Sequence, residues 1–211
     1  MSPRMDADFD WGEVQAATPI HPKGDYELTI KAVRAAAWPQ KDKAGNPTGE
    51  VTQVIALRPE VVGYIDSKGK LQDKDPDGKD VKGASCEEIQ MWVRTIGGRK
   101  VGKKYMMAIC GYNPEDEEEE KSFNGFLKAS GLDLHIRMEE KDDGEGYTLS
   151  IGEGYEKLLV GKNVRANMEP ETRPVEGRDP VTQQKFVRLS PVNSTAPVKS
   201  SASKAKATAG V

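Results

Sequence analysis

The chain predicts a mainly β protein, an antiparallel barrel or sandwich of about five strands interrupted by a helical insertion. Three observations lead there. Apolar and polar residues alternate with the strand period of two in several short segments. The 21 glycines and 13 prolines fall largely between those segments. Apolar residues take helical spacing only in the middle of the chain.

In chain order, residues 1–20 read as an arm with Phe9, Trp11 and Val14 as apolar anchors. Residues 21–25 form a turn, and 26–31 alternate as a strand that Trp38-Pro39 is expected to end. Residues 41–49, with Gly45, Asn46, Pro47 and Gly49, read as a loop. Residues 52–62 are a second strand weakened by Pro59. The charged stretch 64–85 reads as a long hairpin loop. Residues 87–96 are the clearest strand, with Ile89, Met91 and Val93 toward the core and Gln90, Trp92 and Arg94 opposite. Gly97-Gly98 should break it.

A helix follows over 103–112, with Tyr105, Met106 and Ile109 on one side and Pro114 as its stop. Residues 115–120 are all acidic, a solvated loop or the acidic first turn of the next helix. That helix spans 122–130, with Phe123, Phe126 and Leu127 as its apolar face and Gly131 as its end. Residues 147–151 form a short strand, and 162–168 and 184–189 a closing pair. In the last strand Val187 and Leu189 should point inward, and Phe186 and Arg188 outward. Beyond Ser190 the chain is mostly Ser, Ala, Thr, Pro and Lys, with no acid, and cannot bury enough to order itself, so a disordered C-terminal tail is expected. No internal repeat is evident. The division is an arm at 1–20, one domain at 21–192 and a low-complexity tail at 193–211.

Composition narrows the function. Hydrophobic residues are 36% and charged residues 31%, so the core is modest. The formal charge of -3 argues against a uniformly basic nucleic-acid binder and leaves room for a local basic face. No run approaches the length of a membrane helix, and the N-terminus has no apolar signal core, so a cytoplasmic location is expected. Cys86 and Cys110 are too few for a disulfide framework or a zinc site, and read as small core residues. His21 and His135 leave little material for histidine catalysis, and His135, between Leu134 and Ile136, reads as structural.

Two segments imitate known sites. Residues 97–104, GGRKVGKK, have the glycine and lysine spacing of a P-loop. Lys104 stands where a Ser or Thr should hold magnesium, so nucleotide hydrolysis is not expected. A glycine turn whose Arg99, Lys100, Lys103 and Lys104 contact backbone phosphates is the reading kept open. Residues 73–78, DKDPDG, copy the opening of a calcium loop, but the twelfth position is Ala84 rather than Glu. No metal or other cofactor is expected. The outward strand faces are more informative. Lys31, Trp92, Arg94, Arg165, Phe186 and Arg188 mix rings with cations, the surface that single-stranded nucleic acid favours. Alternation alone leaves equally open that Trp92 and Phe186 cover a second small core beneath the helices.

Four segments then resemble a family of small phage-encoded proteins of replication and recombination clusters, regarded as single-stranded DNA-binding or binding-like. They are FDWGEV at 9–14, PKGDYELTI at 22–30, FLKASGL at 126–132 and LLVGKNVRA at 158–166. The resemblance runs loosely over 9–192. It implies an OB-like five-stranded barrel and non-enzymatic, sequence-independent binding of single-stranded DNA, with phage replication or recombination proteins as further partners and the host bacterial cytoplasm as the setting. Stacking then falls to Trp92, Phe186 and Trp38, and phosphate contact to Arg94, Arg165, Arg188 and Lys31. The acidic tail common in such proteins is replaced here by a Lys/Ala/Ser tail. The rival readings are a protein-interaction or structural module, and an enzyme built on 97–104 or on Asp73, Asp75 and Asp77.

Overall fold

The computed structural model describes residues 19–41, 47–93, 96–140, 147–175 and 178–193. Residues 1–18 of the arm, most of the tail, and Arg94 lie outside these residues. The elements are β1 (Gly24–Lys41), β2 (Pro47–Ile65), β3 (Leu71–Gln72), β4 (Ile89–Trp92), α1 (Ile96–Ile109), α2 (Glu117–Ser130), β5 (Ile136–Glu140), β6 (Tyr147–Ile151), α3 (Gly154–Leu159), β7 (Asn163–Val175) and β8 (Arg178–Ser190).

The fold is mainly β and antiparallel, as the alternation predicts. The main sheet runs β3-β2-β1-β7-β8, with β4 also paired to β2, while β5 and β6 form a separate hairpin. It is not a closed barrel. β4 lies along Val54 to Leu57 of β2, and among the described residues no ladder joins it to β8. Helix α1 packs against both β4 and β8, so the sheet curls until its opposite edges reach one helix.

The strands outrun their sequence signals. β1 continues through Trp38-Pro39, and β2 begins at Pro47 and passes through Pro59. Proline lacks a backbone N–H, and these sites lie where one strand edge has no ladder partner. β7 pairs with β1 only from Gly24 to Thr29, so Pro39 is beyond its reach. Pro59 falls between the stretches of β2 that pair with β4 and β3. Pro170 of β7 pairs only toward β8, and Pro174 and Pro180 fall at the register irregularity between Arg173 and Val175.

The inward face follows the predicted alternation in most strands. Tyr26, Leu28, Ile30, Ile89, Met91, Val164, Ala166 and Met168 are buried in one core with Ala108, Ile109, Leu158 and Leu159 of the helices. β8 departs from it. Met168 pairs with Phe186 and Asn167 with Arg188, leaving Val187 as the extra residue of a β-bulge. The bulge turns Phe186 inward against the core and leaves Val187 44% exposed, the reverse of the expected faces.

α1 begins at Ile96, so Gly97-Gly98 opens the helix rather than interrupting the chain. The first-turn N–H groups have no intrahelical partner in any helix, so glycine is least disruptive there. Of the two readings of 115–120, the structure takes the helical one. Asp116 caps α2, accepting from the N–H of Glu118 at 2.9 Å and Glu119 at 3.1 Å, and Gly131 ends the helix at φ 63°. The loop at 64–85 holds β3 and a short repeat that the sequence reading missed. In DSKGK (66–70) the Asp66 Oδ1 accepts from the N–H of Lys68 and Lys70. In DPDGK (75–79) the Asp75 Oδ1 accepts from Asp77 and Lys79 in the same way. Gly69 and Gly78 supply the positive φ, 76° and 78°, that each turn needs. The imitation of a calcium loop is thus a hairpin turn whose Asp75 already serves the backbone.

The bonds from the Lys70 and Lys68 amides and from Gln72 hold the Asp66 carboxyl below its ordinary 3.8. A lowered folded value gives stability that is present above pH 3.8 and lost as pH falls through that folded value. The Lys68 and Lys70 amide NMR signals should therefore titrate together with a midpoint below 3.8; a midpoint above it would contradict the turn geometry.

Candidate nucleic-acid interface

The residues expected to bind a strand separate into three groups. The first lies on the outward face of β1, β2 and β4. Val54 pairs with both Ala36 and Trp92, and Ala56 with both Arg34 and Gln90. Ala36, Val54 and Ala56 are buried, while Trp92 stands 45% exposed. Ala32 pairs with Arg58 in the next row, and Lys31 is the extra residue of a bulge beside it. Arg34, Arg58 and Lys31 are exposed. The rows are two residues apart, about 7 Å along the strand.

Two of these cations have carboxylate partners. Arg34 makes a forked pair with Glu88, at 2.8 and 2.7 Å, which raises the Arg34 pKa further. Lys31 pairs with Glu60 at 3.0 Å. Arg58 and Lys31 line a cleft of about 310 Å³ with Pro59, Gly83 and Ser85. Trp38 pairs with Thr52, one step beyond the Ala36 row. Its side chain lies outside the described residues. Arg34 and Arg58 were missed by sequence reasoning; the strand register is what places them in neighbouring rows.

The second group is on β7 and β8. Arg165 and Arg188 face outward, since Val164, Ala166 and Leu189 are inward. Their surroundings are polar and partly acidic. Asn163 Nδ2 donates to Glu27 at 2.8 Å, Asn167 Nδ2 to Asp25 at 2.8 Å, and Thr29 Oγ1 to Asn163 at 2.6 Å. Phe186, meant to supply a ring here, is turned inward by the bulge. Of the rings expected to stack on a strand, Trp92 is exposed and Phe186 is packed against the core.

The third group, Arg99, Lys100 and Lys103, lies on α1, not in a glycine turn. Lys103 pairs with Glu120, and Lys104 with Glu115 at 3.0 Å, so the acidic start of α2 neutralises part of this basic stretch. The Lys103 contact holds the Glu120 carboxyl below its ordinary value. Arg99 and Lys103, four residues apart, share the helix side that faces a cleft between α1, β4 and the start of β5. His135, read from the sequence as structural, is exposed and lines this cleft.

Neither cysteine has an activated thiol. Burial pushes the Cys86 thiol up to about 12 and the Cys110 thiol up to about 11, so both are protonated at neutral pH. Among the described residues no group of three or more His, Cys, Asp or Glu is placed to hold a metal ion. No described helix is long and apolar enough to cross a membrane. Comparison with family models, curated proteins and solved structures gives no match.

Proposed function

We propose that the protein binds single-stranded DNA without sequence preference, on the outward face of β1, β2 and β4. The observation that carries this reading is Trp92, a ring 45% exposed beside rows holding Arg34, Arg58 and Lys31. Bases stack on an exposed ring while neighbouring cations follow the phosphates. The fold reading behind it is a partly open OB-like barrel formed by β1, β2, β4, β7 and β8. In support, β1 pairs with β2 and β7, β2 with β4, and β7 with β8, with the helices inserted between the third and fourth of these strands. OB folds bind oligonucleotides on the face of their second and third strands, here β2 and β4. No cofactor enters this mechanism.

Fluorescence anisotropy of a labelled oligo-dT tests it. Trp92→Ala should weaken binding by about 1–3 kcal/mol, roughly fivefold to 150-fold. Arg58→Ala should weaken it less and lower the slope of log affinity against log salt by about 1. Unchanged affinity in Trp92→Ala would remove the stacking site, and an absence of any DNA binding would turn the face toward a protein partner.

A further inference from the structure

Independently of the outward face, we propose a second site on the inward side of the sheet, for a nucleoside monophosphate or a ligand of that chemistry, a planar heteroaromatic ring bearing a phosphate. The cleft between α1, β4 and the start of β5 has a volume of about 450 Å³. That lies within the range of about 300–1,000 Å³ typical of small-molecule sites. Its floor is apolar, with Ile55, Met91, Met106 and Leu134 among the lining residues. Thioethers make favourable contacts with ring edges and adapt to flat ligands. Its polar groups include Arg99, Lys103 and His135, and none of its described lining residues is a carboxylate. An apolar floor under a cationic rim selects an amphipathic anion, and the guanidinium of Arg99 suits phosphate oxygens best. Lys103 also pairs with Glu120, so a phosphate would join or replace that carboxylate.

The fold holds this arrangement in place. Gly102 lets α1 approach β4 closely, since a Cβ there would lie 3.3 Å from Met91 Cβ. The stretch carrying His135 is pinned by Gly152 N–H to the His135 carbonyl at 2.8 Å, and by Arg137 to Asp133 at 2.6 Å. The segment 97–104 that imitates a P-loop therefore places its Arg99 and Lys103 on a cleft through helical spacing rather than through a phosphate-cradling loop.

Isothermal titration calorimetry of the full chain with thymidine monophosphate tests the site, with ribose 5-phosphate and decanoate as separate arms. The nucleotide should bind at least tenfold more tightly than either. Arg99→Gln, at an exposed helix position, should weaken nucleotide binding about tenfold. Met106→Ala should weaken the nucleotide without changing the ribose phosphate arm, whereas Lys128→Ala should change neither. Equal binding of nucleotide and ribose phosphate would reduce the site to a basic patch. Tighter binding of decanoate would make it an aliphatic-acid site, and no binding in any arm would overturn it. DNA binding by Trp92→Ala and nucleotide binding by Arg99→Gln are read separately, so either proposal can fail alone.

Discussion

Phe123→Ala is expected to release α2 from the body of the protein. Phe123 is the one fully buried residue of this 14-residue helix. Its ring meets Tyr112 at 5.2 Å and Phe126 at 6.3 Å, a cluster apart from the main core. Truncating a buried phenylalanine to alanine costs about 3–5 kcal/mol. The other anchors include Leu127, partly buried against the main core, and the Asn113 N–H donating to Glu119 at 2.6 Å; the ion pairs Lys103–Glu120 and Lys104–Glu115 lie near the surface and contribute little. A helix of this length is marginal alone in water. Circular dichroism should show a loss of helix, and hydrogen exchange a loss of protection over 117–130, while the sheet amides stay protected. A uniform loss across the sheet would mean that α2 belongs to the same cooperative unit as the main core.

Gly154→Ala carries the next largest effect. A Cβ at 154 would lie 2.5 Å from the Asp133 carbonyl oxygen and 2.8 Å from its carbonyl carbon and amide nitrogen. These are backbone atoms, and no rotamer change can move them aside. The close approach exists because Gly154 N–H donates to the Asp133 carbonyl at 3.0 Å and Gly152 N–H to that of His135 at 2.8 Å. Forced overpacking of this kind costs about 3 kcal/mol. At about 2–4 °C per kcal/mol for a chain of this size, the melting temperature should fall by roughly 6–12 °C. Gly125→Ala is the contrasting case: nothing lies within 4 Å of its added Cβ, and it sits inside α2. It should stabilise the helix by about 0.5–1 kcal/mol. A Gly154→Ala protein melting with the wild type would contradict the tight packing of α3 on the 133–135 backbone.

What the sequence revealed and what it hid follow from how locally each feature is encoded. Alternation located the inward residues of β1, β4 and β7, because burial of one face imposes a period of two. The stop at Gly131 was legible through local chemistry, a glycine that adopts positive φ, whereas the helix start was placed at 122 and the cap at Asp116 was not identified, because a run of six acids suits a solvated loop as well as a first turn. β8 was legible as a strand paired with β7, but the facing of Phe186 and Val187 was not, because a bulge shifts the period by one residue and nothing in KFVRL announces it. Strand lengths were underestimated because proline was weighed as a breaker before it was known which edges had partners. The 66–70 and 75–79 turns could have been found from their shared D-x-x-G-K pattern, and the packing of α3 from the glycine pair at 152 and 154. β5 and α3 escaped because their segments are short and follow no clear period. At the candidate interface, Trp92 was found by alternation, whereas Arg34 and Arg58 became candidates only once the register placed them in neighbouring rows.

The most direct test of single-strand binding uses a protein in which Trp11 and Trp38 are replaced by phenylalanine, leaving Trp92 as the sole tryptophan of the three. Its fluorescence is followed while oligo-dT, or a duplex of equal length, is added at low and moderate salt. The account predicts quenching by the single strand, weakening as salt rises, and little change with duplex. Binding of oligo-dT by gel shift with no change in Trp92 emission, or equal quenching by duplex, would contradict stacking on this face.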